Sequence, residues 1–88
     1  MQFEWDPHKL RTNLRKHGVE FADAVAVFRD PLALTVEDRE HDEQRFVTIG
    51  MDAFGRTLVV VYAYGGADTI RLVSARRADP SERKQYTG

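Results

Sequence analysis

Thr57-Leu58-Val59-Val60-Val61-Tyr62-Ala63-Tyr64, then Gly65-Gly66-Ala67-Asp68, then Thr69-Ile70-Arg71-Leu72-Val73-Ser74-Ala75 is the stretch that decides the fold. The first segment is dense in valine and tyrosine, residues that suit a pleated, half-buried surface. Two glycines and an aspartate follow and turn the chain back. The third segment runs in a period of two and reads as the return strand. Such a hairpin makes a sheet, and its continuous apolar centre asks for cover on one face. Working backwards, Asp52-Ala53-Phe54-Gly55 is a second turn, with a strand predicted over Arg45 to Gly50. Leu34 and Val36 alternate with Thr35 and Glu37 as another strand, and Asp38 to Glu43 is a charged loop.

Further towards the N-terminus the period changes. Phe21, Ala24, Val25 and Phe28 fall at i, i+3, i+4 and i+7, one buried face of a helix that Asp30-Pro31 ends. A first helix is predicted from Pro7 to about His17. Asp6 serves as its cap, Pro7 as its first residue and Gly18 as its stop. Phe3-Glu4-Trp5 reads as a short edge strand. After the hairpin, Asp79-Pro80-Ser81-Glu82 has the form of a capping box and opens a short C-terminal helix. Two N-terminal helices, an antiparallel sheet of about four strands and a short last helix make a small α+β domain spanning residues 1–88.

Composition narrows the classes of function. Eighty-eight residues hold one core, and 42% hydrophobic content suits a globular chain. There is no cysteine, so disulfides and thiolate metal sites are excluded. The apolar run Leu58 to Ala63 is too short to span a bilayer, no secretion signal is recognised, and the expected location is the cytoplasm. The net charge is only -1, yet the signs are sorted along the chain. Residues 20–43 hold eight acids against two bases, and residues 69–88 hold five bases against two acids. A basic face can hold a polyanion while an acidic segment meets a cationic partner.

Several ordered pieces resemble the BrnT toxin family. They are Phe3-Glu4-Trp5-Asp6-Pro7, Asn13, Lys16-His17-Gly18-Val19, Val27-Phe28, Asp30-Pro31 and Asp38-Arg39-Glu40-His41. Gly55-Arg56, Leu58 to Tyr62, Ile70-Arg71, Ser74-Ala75-Arg76, Glu82-Arg83 and Tyr86 continue the series. The resemblance implies a bacterial ribonuclease toxin of a type II toxin–antitoxin pair, RelE-like in fold. It also implies neutralisation by a BrnA-like antitoxin with a ribbon-helix-helix DNA-binding domain, so that DNA is met only through the antitoxin. Two departures stand out. Glu20 occupies a helix-cap position where relatives often carry serine, and Tyr64-Gly65 lacks an arginine that relatives often carry there.

Cleaving RNA through its 2′-hydroxyl without a metal needs a base, cations on the phosphorane and an acid for the leaving oxygen. Arginine suits the middle role because its planar fork meets phosphate oxygens in pairs. His41, with an ordinary pKa of about 6.5, can transfer a proton either way near neutrality. The expected catalytic set is His41, Arg45, Arg76, Glu82 and Tyr86. The expected RNA-binding set is Arg56, Arg71, Arg77, Lys84 and Lys16. Strict alternation would put Arg71 and Arg77 on one sheet face and Arg76 with Ile70, Leu72 and Ser74 on the other. His17 reads as a helix-end cap and His8 as an exposed, inert residue. Phe3 and Trp5 read as packing residues. His41-Asp42-Glu43 cannot turn three adjacent side chains onto one ion from a strand, so neither metal nor cofactor is expected. A non-catalytic partner-binding module, co-regulating within an antitoxin complex, is the alternative, and a metal hydrolase built on His41 is a third.

Overall fold

Asp6 opens the first helix as expected. Its side chain accepts the His8 backbone N–H at 2.8 Å, and α1 runs Pro7–His17 to a left-handed Gly18 (φ 68°). The computed structural model describes residues 1–39 and 43–86. The second helix is broken where one continuous helix was expected. α2 is a single turn, Phe21–Ala24, followed by a 3-10 segment, Val25–Arg29. Glu20 stands at the cap and makes no side-chain capping bond, so the start is weak. The tighter winding of three residues per turn aligns Val27 with Ala24 and Phe21, and these three are fully buried. Val25 and Phe28, expected on the buried face, pack only partly against the core.

The strands are β1 (Gln2–Glu4), β2 (Leu34–Asp38), β3 (Arg45–Met51), β4 (Thr57–Gly66) and β5 (Thr69–Arg77). They form one sheet in the order β1-β5-β4-β3-β2. This corrects the expectation of about four antiparallel strands: there are five, and β1 pairs parallel with β5 through Gln2–Thr69, Phe3–Ile70 and Glu4–Arg71. The two helical segments that follow β1 carry the chain across the sheet to the far edge, which is why the first strand can lie parallel to the last. The turn at Asp52 behaves as read. Buried Asp52 accepts the backbone N–H groups of Phe54 and Arg56, and Gly55 takes φ 80°. α3, Pro80–Gln85, closes the chain with the full capping box between Asp79 and Glu82.

One sheet face carries the core. Leu58, Val60, Tyr62, Ile70, Leu72 and Ala75 pack there against Val19, Phe21, Ala24 and Val27. Trp5 meets Phe21 edge-on at 5.8 Å between ring centroids, and Phe3 meets Phe28 at 5.4 Å, so both are packing residues. A hydroxyl chain, Thr35–Thr48–Tyr62, satisfies the polar atoms of this face.

α1 is anchored by one buried side chain. The Asn13 amide donates to the carbonyls of Val19 (2.9 Å) and Ala75 (2.8 Å), and its oxygen accepts the Ala75 N–H (2.9 Å). β1 pairs with β5 only as far as Arg71. Beyond that point Asn13 stands in for a neighbouring strand at Ala75.

Candidate functional site

A β-bulge decides which arginines share a face. Val61 pairs with Ser74 but Tyr62 pairs with Leu72, so Val73 is an extra residue in β5. Every side chain after it changes face relative to strict alternation. Arg76 pairs with Val59, Ser74 with Val61, and Arg71 with Ala63, which places all three on the face opposite the core. Arg77 pairs with Leu58, a core residue, and so belongs to the other side. The expected grouping of Arg71 with Arg77, and of Arg76 with Ile70 and Leu72, is therefore corrected.

Arg45 joins the first group. It pairs with Asp38 in β2, and the register carries it onto the row that holds Ala63 and Arg71. Its Nε is buried without a hydrogen-bond partner among the described residues. The Arg71 guanidinium lies 3.3 Å from the Glu4 carboxylate and 3.9 Å from that of Glu43. Arg71 and Arg76 pair with Ala63 and Val59, four residues apart on β4, which is roughly 13 Å at about 3.3 Å per residue. They are two stations on one face rather than one clamp. Between them lie Ser74, Val59 and Val61.

Arg76 is the most constrained cation of the set. Its two terminal nitrogens each bond one oxygen of Glu82 at 2.7 Å, in a paired fork. Glu82 is presented by the first turn of α3, where it also accepts the Asp79 N–H at 2.9 Å. The Arg76 bonds, with the Asp79 N–H, hold the Glu82 carboxyl down at about 2, despite the opposing effect of burial. The same pairing raises Arg76 above its ordinary value. Glu82 is thus ionised at neutral pH, and both its oxygens are engaged in holding Arg76 in one orientation.

Tyr86, at the end of α3, donates its hydroxyl to Asp30. Asp30 also accepts the N–H groups of Met51 (2.8 Å) and Leu32 (3.0 Å). The hydrogen bond to Asp30 raises the Tyr86 pKa, and Asp30 is lowered by the Tyr86, Met51 and Leu32 bonds. The phenol stays protonated and its proton is committed to Asp30. Tyr86 therefore ties the C-terminal helix to the segment before β2. Asp30, read from the sequence only as the stop of the second helix before Pro31, is the acceptor that makes this tie.

The remaining expected residues are dispersed. Arg56 donates to buried Asp52 at 2.7 Å, lies 3.8 Å from Asp23 of α2 and stacks over Phe54 at 5.6 Å. That position stabilises the β3–β4 turn on the helix side and is not with the Arg71–Arg76 group. Lys84 is exposed on α3, and Lys16 is exposed on α1. His41 lies outside the described residues. Among the described residues no cluster of three His, Cys, Asp or Glu side chains is placed to hold a metal ion. The acidic stretch is partly structural, since Asp23 and Asp30 are engaged internally.

The family model described as the ribonuclease toxin BrnT of type II toxin–antitoxin systems matches residues 5–82. Among solved structures, the chain is similar to the ribonuclease toxin BrnT of Brucella abortus. The TM-score is 0.73 at 26% sequence identity, over 90% of this chain and 97% of that one. No curated protein matches the sequence at a significant level.

Proposed function

The chain belongs to the BrnT family of ribonuclease toxins of type II toxin–antitoxin systems, and from that premise we propose that it cleaves RNA without a metal, on the sheet face opposite the core. The observation that carries the reading is Arg76. Its guanidinium is clamped by Glu82 on a face that also holds Arg71 and Arg45. The clamp uses the two terminal nitrogens and leaves Nε with no bond to a described residue. A preset guanidinium stabilises the dianionic phosphorane at no cost of reorientation during the reaction. Arg71 and Arg45, a row away, hold a flanking phosphate. His41 supplies proton transfer in this reading; it is two residues from Glu43, whose carboxylate neighbours Arg71. Tyr86 acts at a distance by fixing α3, and through it Glu82 and Arg76. A RelE-like fold and a BrnA-like ribbon-helix-helix antitoxin belong to the same proposal. The exposed Leu34 and Val36 of the edge strand β2 offer the antitoxin an apolar strip.

The test is purified protein on labelled RNA in the presence of EDTA. Cleavage should persist in EDTA and fall by at least about a hundredfold in Arg76→Ala, the order of loss when one preset oxyanion donor is removed. The second reading, a partner-binding module without catalysis, is favoured by the pairing of Arg71 and Arg76 with acids. It is upheld if the folded protein binds antitoxin and leaves RNA intact. Loss of activity in EDTA, restored by a divalent cation, would instead favour a metal hydrolase.

A further inference from the structure

α1 carries more positive charge than its own stability favours. Its eleven residues contain Lys9, Arg11, Arg15 and Lys16, two histidines and no acid. A surface helix ordinarily gains from acid–base pairs four residues apart; here Arg11 and Arg15 are a like-charge pair at that spacing. Neither Lys9 nor Lys16 is ion-paired to any described residue.

A cleft runs between this helix and the bulged part of β5. It is lined by His8, Lys9, Thr12, Lys16 and His17 on one side and Val73-Ser74 on the other, with Asn13 at its floor. No acidic residue lines it. Lys9 and Lys16 are two helical turns apart on one face, about 10.5 Å along the axis. The cleft is thus a track rather than a point site. Its floor is fixed, because buried Asn13 is bonded to the backbone of Val19, in the loop after α1, and of Ala75 in β5. At one end Lys9 also lines a second cleft, which it shares with Arg71 and with the acids Glu4 and Asp6. Ser74 projects from the strand midway between Arg71 and Arg76. The α1 cleft therefore continues the arginine face over the exposed edge of β5.

We propose that the α1–β5 cleft is an RNA-backbone track that takes the sugar–phosphate chain leaving the arginine face, with Lys9 and Lys16 on phosphates and Thr12 and Ser74 as hydroxyl donors. This rests on the reading of the arginine face as the RNA-cleaving surface. A single strand is the fitting occupant, since the walls are lysines, two histidines and short hydroxyls around Val73 and contain no base-reading amides beyond the already saturated Asn13.

The experiment measures binding of a labelled, 2′-O-methylated single-stranded RNA of about twelve nucleotides by fluorescence anisotropy over a range of salt. The methylated strand cannot be cut through its 2′-oxygen, so binding is read apart from chemistry. Each lost phosphate contact lowers the slope of log K against log salt by about 0.7 for single strands. The Lys9→Gln, Lys16→Gln double variant should lose about 1.4 from that slope. The Lys9→Arg, Lys16→Arg variant should keep it. Lys16 is exposed and Lys9 half-buried, and far-ultraviolet circular dichroism confirms that each variant is folded. If the wild type binds and cleaves RNA but the Gln variant keeps the full slope, the track is overturned while the nuclease reading stands. If the Gln variant keeps RNA binding and loses antitoxin, the cleft is a protein-docking surface and the proposal falls. If the wild type neither binds nor cuts RNA, the nuclease reading and the track fall together.

Discussion

Replacing Asn13 by alanine tests what joins the basic helix to the sheet. The side chain is 3% exposed and makes three hydrogen bonds, two to carbonyls and one from the Ala75 N–H. Truncation leaves three buried backbone groups without partners. Each such group costs about 1–3 kcal/mol, so the loss is expected to be about 3 kcal/mol or more. In a domain of this size that lowers the melting midpoint by roughly 12–24 °C, at about 4–8 °C per kcal/mol. Asn13→Asp keeps the acceptor for Ala75 but turns both donor contacts into a carboxylate facing carbonyl oxygens, so it should be no better. Urea denaturation followed by circular dichroism gives the free energies directly. A loss in Asn13→Ala of less than about 1 kcal/mol would refute the reasoning, because it would mean that the freed Ala75 and Val19 groups find other partners or water.

Glu82→Gln removes the charge that orients Arg76, and RNA cleavage should fall at least about tenfold while Arg76→Ala falls further; equal rates for Glu82→Gln and wild type would separate Glu82 from the mechanism. The Glu82 carboxyl is held at about 2 in the folded chain against an ordinary value of 4.5. Its contribution is therefore complete above about pH 4.5 and is lost as pH falls from there through about 2. With Arg76 40% exposed, screening leaves roughly 1–2 kcal/mol of it. Urea midpoints at pH 6 and pH 3 should show the wild type losing more than Glu82→Gln. Tyr86→Phe deletes the hydroxyl bond to Asp30 and should cost about 1 kcal/mol in the same assay, with a parallel loosening of α3 seen as faster amide exchange over residues 80–86.

The hairpin of β4 and β5, α1 with its two caps, the Asp52 turn and the Asp79–Glu82 capping box were legible because each depends on neighbours a few residues away. Apolar packing of Phe3 and Trp5 was legible for the same reason that their residue type suits little else at a strand edge. The broken second helix was not, although Glu20 at its cap held the clue: periodicity locates a buried face and is nearly indifferent to whether the turns that present it are α or 3-10. The candidate site was half legible. Arginines on the last strands were found as residue types, but their sides of the sheet were misassigned, since strict alternation has no way to register one extra residue at Val73.

The order of residues alone determined an α+β chain, the places where it turns, the segregation of its charges and its membership of a toxin family, all of which rest on local propensity or on matched order along the chain. Tertiary structure decided the parallel docking of β1 on β5, the stitch from Asn13 to Ala75 and the pairing of Arg76 with Glu82 and Tyr86 with Asp30. It also decided that Arg45, Arg71 and Arg76 share a face while Arg56 and Arg77 do not. Those outcomes depend on strand register and on contacts between residues up to 67 positions apart, and a side chain's neighbours across a sheet are set by pairing, which no local pattern encodes.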